Sequence, residues 1–412
     1  MLKIDSERLW SSLMDMAKIG GTAAGGVRRL ALTEEDAAGR ALFSRWCTEA
    51  GLTLSSDAVG NLFARRAGTD PAARPVATGS HLDTQPEGGR FDGVYGVLAA
   101  LEAVRTMNDA GIQTQKPIEI VVWTNEEGAR FTPAMLGSAA FTGAMPLERA
   151  LAAEDASGCS VAAALQAIAC VGERAVPGIV FDAYFEAHIE QGPILEKNGV
   201  PIGIVTGGQA ICWLDVRVRG QAAHAGTTPM PFRRDALFGS AEMALALETI
   251  SKEFAPQGLV TIGEVSIRNA SRNTIAADLS FTVDLRHPDD ARIEAMETLL
   301  RERFEAIAQQ RGLTVDISRH WVSPATPFDT ECVAAVARAV ELLGYPHQRI
   351  ISGAGHDAIH LARHCPSAMI FIPCVDGLSH NEAEDALPHD VTRGADVLLH
   401  ALLARAGASL PV

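Results

Sequence analysis

The strongest constraint on the fold is a change of rhythm along the chain. A short apolar run at 75–80 ends in a turn, and residues 94–107 place Val94, Val97, Leu98, Leu101 and Val104 on one helical face. Residues 117–124 then read as a buried strand through Ile118, Ile120, Val121 and Val122. Strand, helix, strand predicts a parallel sheet with helices on its faces. From Trp213 the rhythm changes. Strands are expected at 213–220, 259–267, 278–286 and 313–319, with helices at 234–254 and 289–310. That β-α-β-β-α-β order is the ferredoxin-like arrangement. A helix at 329–343 and an apolar strand at 367–373 resume the first pattern. The expected architecture is therefore an α/β domain with a mostly parallel sheet, formed by 1–212 and 326–412, with an α+β domain inserted at 213–325. The first 70 residues read as helices, one at 5–18 and one beginning at Thr33.

Composition removes some functions. Lys and Arg total 35 against 50 Asp and Glu, a net charge of −15, so nucleic acid and anionic membranes are poor partners. No apolar run reaches the ~20 residues of a membrane-spanning helix, and the N-terminus has no signal-peptide pattern. The seven cysteines include no CxxC pair, which argues against a cysteine metal site and predicts a reducing, cytoplasmic setting.

The histidines are more informative. His81, Asp92, Glu127 and His380 all fall just beyond expected strand ends, where α/β sheets bind ligands. His188 lies in a similar stretch, Phe185 to Gly192. Imidazole and carboxylate suit zinc, manganese, cobalt or nickel. Three histidines and two carboxylates suffice for two ions if one carboxylate bridges. Such a pair would activate water and polarise a carbonyl. Glu126, beside Glu127, is then free to carry a proton. Asp83, two residues past His81, is expected to hold the other ring nitrogen. Taken singly, each feature is more often surface charge or a hydrogen-bonded histidine; together they point to a metal site. No G-x-S-x-G elbow, His-Glu-x-x-His helix or Walker loop competes. His356-Asp357, in a glycine-rich turn, has no assigned role.

Several stretches resemble the hydantoinase/carbamoylase family of binuclear metal amidohydrolases, relatives of zinc exopeptidases. They are GSHLDTQPEGGRFDGVYGVL (79–98), TNEEGARF (124–131), EAHIEQGPILE (186–196), GQAAHAGTTPM (220–230), FTVDLR (281–286) and GLSHNEAE (377–384). The resemblance implies two divalent ions, with zinc first and manganese, cobalt or nickel as alternatives. His81, Asp92 and His188 would hold one; Asp92 would bridge to the other, held also by Glu127 and His380. Glu126 would be the acid/base, and His224 would steady the oxyanion from a partner subunit. Gln191 would contact the ureido group, and Asn273 and Arg286 the substrate carboxylate. The inserted domain would be a lid and homodimer contact. The implied reaction is cleavage of the ureido C–N bond of an N-carbamoyl-L-amino acid. Allantoate and 3-ureidopropionate are alternative substrates; an exopeptidase or a silent metal-binding relative is less consistent with these motifs. Two stretches depart from the family: Arg268-Asn269-Ala-Ser-Arg-Asn273 lacks a usual proline, and His380-Asn-Glu-Ala-Glu384 lacks the proline two residues after the last ligand. Neither is expected to touch a ligand.

Overall fold

Residues 1–409 are described by a computed structural model. They form two compact units, 1–207 with 327–409, and 208–326.

In the first unit a nine-stranded sheet is built around four parallel strands, in the order Ile118–Trp123, Val76–His81, Ala183–Ile189 and Ser367–Ile372. Every residue of these four is buried, as strands covered on both faces must be. Helix Val94–Asp109 packs on the sheet, with Gly96 close against Ser80 and Ala187 and with Val97, Leu98, Leu101 and Val104 buried. Antiparallel strands flank the parallel core, including the hairpin of Thr53–Ser56 with Leu62–Arg66. That hairpin corrects the all-helical expectation for the first 70 residues. Its strands alternate only weakly and are too short to outweigh the helical pattern before them.

In the second unit, Ala210–Arg219, Asp278–His287, Thr314–Ser323 and the shorter Val265–Ile267 make an antiparallel sheet. Helices Ala236–Glu253 and Asp290–Arg311 cover one face, burying Leu214, Val216, Phe281 and Val283 against Met243, Met296 and Phe304. The strand expected at 259–267 is broken into Leu259–Thr261 and Val265–Ile267. Between them Glu264 donates its N–H to the Thr282 hydroxyl at 3.1 Å, a side-chain bond in place of a ladder bond. Among the described residues, no helix is long and apolar enough to cross a membrane.

His360, on helix Asp357–Leu361, is set apart from the chemistry below. Its Nδ1 is buried with no hydrogen-bond partner. Burial lowers its pKa from 6.5 to about 4. Above pH 6.5 folded and unfolded chains are both neutral here. Between pH 6.5 and 4 the unfolded chain takes a proton that the folded one refuses, so stability falls as pH drops. The loss is at most about 3 kcal/mol. Urea midpoints at pH 7 and 4.5 should therefore converge in His360→Gln relative to the wild type. An identical pH slope in the two proteins would refute this.

Candidate metal centre and its surroundings

The carboxyl ends of the four parallel strands carry the site. His81 is the last residue of its strand, and His188 lies one residue from the end of Ala183–Ile189. Both rings are 1% exposed. His81 Nδ1 lies 2.8 Å from the backbone carbonyl of Asp83, and His188 Nδ1 lies 2.9 Å from that of Ile189. Donation to these carbonyls turns both Nε2 atoms toward Asp92, as metal-binding histidines require.

Asp92 is the shared member. Its Oδ1 lies 3.1 Å from His188 Nε2 and 3.7 Å from His81 Nε2. Its Oδ2 lies 3.4 Å from His380 Nε2, which is 3.3 Å from Glu127 Oε2. His81, Asp92 and His188 thus form one donor trio, and Asp92, Glu127 and His380 another, each with ligand atoms within 4.8 Å of one another. One carboxylate facing each trio with a different oxygen fits a pair of divalent cations. The set of nitrogen and oxygen donors fits zinc or a neighbouring transition metal. Glu186, His188 and His356 form a further trio, but both Glu186 oxygens already accept bonds from Ser80, Tyr184 and the Ala358 N–H.

The loops are built for close approach. Gly93, at φ 67°, donates its N–H to His188 Nε2 at 3.2 Å, and a Cβ there would overlap the His81 ring. Asn125, Gln191 and His380 are non-glycine residues in left-handed backbone, at φ 54°, 58° and 54°. Backbone of this kind collects at working sites.

Charge is concentrated. Burial opposes ionisation of Asp92, but the three histidines outweigh it and hold the carboxyl below its ordinary range. Burial would lower His188, yet Asp92 lifts it to about 9. Burial dominates at His81, which falls to about 4. Glu126 is 7% exposed, with Oε2 3.5 Å from His81 Nε2. Burial, then Asp357 and Glu127, push it well above the usual carboxylate range. A carboxyl so raised is suited to moving protons near neutral pH.

Asp83 meets His81 Nδ1 with its backbone carbonyl, and its carboxylate Oδ1 lies 4.0 Å from the same nitrogen. The carboxylate accepts the N–H groups of Glu126 and Glu127, each at 3.2 Å, and so sets the turn carrying both glutamates. The stretch after His380 does reach a ligand: Glu384 accepts the Asp92 N–H at 3.1 Å. Gln191 has its Nε2 2.9 Å from Asp92 Oδ2. Gln85 went unrecognised in the sequence. It grips Glu127 with its own N–H at 3.1 Å and its amide at 2.7 Å. The ring of His356, 2% exposed, lies 4.5 Å from that of His188.

His224, Asn273 and Arg286 belong to the second unit. His224 is exposed, and its segment pairs with that of Asn273 through Ala225 N–H to the Asn273 carbonyl at 2.9 Å. Arg286 holds Asp284 with Nε at 3.0 Å and Nη2 at 2.7 Å.

The sequence model described as Peptidase family M20/M25/M40 matches residues 77–404. An N-carbamoyl-L-amino-acid amidohydrolase of Rhizobium meliloti is 47% identical over 401 residues, covering 97% of this chain and 96% of that protein. A crystal structure of a hydantoinase/carbamoylase family amidase from Burkholderia ambifaria is 67% identical, with a TM-score of 0.96 and full coverage of both chains. A ureidoglycolate hydrolase of Arabidopsis thaliana is 34% identical, covering 96% of this chain and 86% of that protein. The chain belongs to Peptidase family M20/M25/M40, a metal-dependent family, and within it to the hydantoinase/carbamoylase amidases.

Proposed function

We propose that this hydrolase of non-peptide C–N bonds cleaves the ureido bond of N-carbamoyl-L-amino acids with two divalent ions in its site. The observation that carries the reading is the pair of donor trios sharing Asp92, with Glu126 beside them. Ions held there would supply Lewis acidity toward water and the carbamoyl oxygen, with zinc the first expectation. Glu126 takes a proton from the attacking water. The bond between the carbamoyl carbon and the amino acid nitrogen breaks, and Glu126 returns the proton to that nitrogen. The released carbamic acid decomposes to ammonia and carbon dioxide. Asp83 serves by holding the turn of Glu126. Gln191 orients the ureido group and His224 steadies the oxyanion. Asn273 and Arg286 take the substrate carboxylate, for which a guanidinium is the natural partner.

A second reading keeps the chemistry and changes the substrate to allantoate, 3-ureidopropionate or another ureido acid. The similarity to a ureidoglycolate hydrolase favours keeping it in view. Ammonia release from N-carbamoyl-L- and D-amino acids, 3-ureidopropionate, allantoate and a dipeptide decides. The L-carbamoyl compounds should have the highest kcat/KM; turnover of the dipeptide alone would overturn the assignment. Arg286→Ala should raise KM about 10–100-fold, the worth of a charged hydrogen bond. An unchanged KM would remove Arg286 from the substrate.

The second unit also offers a homodimer contact. Helix Ala236–Glu253 exposes Leu237, Phe238 and Leu245, the last 67% exposed, and the edge strand Val265–Ile267 exposes Val265 at 61%. Sedimentation at twice the 43.6 kDa of one chain would support this; a monomer would refute it. Seven free thiols support a cytoplasmic setting, and secretion of the native protein would contradict it.

A further inference from the structure

We propose that Glu384 is a positioning residue that holds Asp92 in its bridging orientation and ties it to the loop of His380. The inference rests on the two-ion reading above. Glu384 is 1% exposed. Its Oε1 accepts the backbone N–H groups of Phe91 at 3.0 Å and Asp92 at 3.1 Å. Its Oε2 accepts the Ser379 hydroxyl at 2.9 Å. That hydroxyl lies 3.2 Å from Asp92 Oδ2, where Gln191 Nε2 also donates. A hydroxyl has one proton, so Ser379 can serve Glu384 or Asp92 at any moment, but not both. Gly89 leaves the room for this arrangement, because a Cβ there would fall on the Glu384 carboxylate.

The consequence differs between the two trios. His81 and His188 are fixed by buried parallel strands and by backbone carbonyls of their own neighbours. Their positions do not depend on Glu384. Asp92 and His380 both lie on loops, and Glu384 joins those loops: it is bonded to the 91–92 backbone and to Ser379, beside His380. Removing it should therefore loosen the Asp92–Glu127–His380 trio, which it supports at both Asp92 and the His380 loop, more than the His81–Asp92–His188 trio, which it supports at Asp92 alone.

The test is titration of the metal-free full chain with zinc, followed by calorimetry, and with cobalt, followed by its visible spectrum. His188→Ala and His380→Ala assign each binding step to a trio. Glu384→Ala should weaken the step lost in His380→Ala about 10–100-fold, the usual cost of losing a group that orients a ligand. The other step should weaken clearly less, because in that trio only Asp92 is bonded to Glu384. Glu384→Gln can still accept both N–H groups but not the Ser379 proton, so it should fall between the wild type and Glu384→Ala. Equal weakening of both steps, as general destabilisation would cause, overturns the proposal, as does no weakening. If Glu384→Ala does not fold, Ser379→Ala must weaken the same step selectively, and its failure to do so is equally decisive. A wild type that binds only one ion would instead overturn the two-ion reading, and this inference with it.

Discussion

Glu126→Gln should keep its full complement of metal and lose about 10³-fold in kcat. The substitution is nearly isosteric. Asp83 anchors the turn through the backbone N–H groups of residues 126 and 127, so the local shape does not depend on the replaced oxygen. The lost property is proton transfer. In the wild type, burial, then Asp357, Glu127, Asp83 and Asp92, raise Glu126, so its carboxylate binds a proton more strongly than an ordinary one. An amide can neither take the proton of water nor return it to a leaving nitrogen. Metal content and kcat, measured on one preparation, decide. A variant within tenfold of the wild type would show that another group carries the proton.

Asp92→Ala should have the larger effect, because it removes a donor from both trios at once. Each trio falls to two side chains, and His188 loses the carboxylate that lifts it to about 9. Ion binding should weaken by well over the ~100-fold cost of losing an orienting group. Turnover should fall below detection after dialysis. A chelator should bring the wild type to the same state, and added zinc or manganese should restore it. Asp92→Asn separates charge from shape, since one oxygen remains to accept from Gln191 and Ser379. Activity retained in the metal-free wild type would exclude the metal mechanism.

Much of this centre was legible in the sequence, for physical reasons. Residues at the carboxyl ends of parallel strands converge, so His81, Asp92, Glu127 and His380 could be grouped without contacts. The groups that hold those ligands were harder to read. Gln85 and Ser379 lie within the family-like stretches, but their roles exist only through partners 42 and 287 residues away. Asp83 follows His81 closely enough to be paired with it from sequence, but which of its oxygens meets the ring is settled only by the fold. The break at Glu264 depends on Thr282, a pairing that strand periodicity cannot anticipate.

The left-handed conformations of Asn125, Gln191 and His380 set a limit on improving this protein. Gln191 and His380 bear side chains where glycine rests without penalty, at a cost of about 1–2 kcal/mol each, while the local bonds of Asn125 compensate it. A screen for heat resistance would reward glycine at Gln191 and His380, whereas at Asn125 it would forfeit the buried bonds of the side chain to Phe131 and Pro133. At His380 and Gln191 the same change would erase a ligand and its neighbour. Selection for durability and selection for turnover therefore oppose each other at these residues, and a thermostable variant of this enzyme has to be sought elsewhere in the fold.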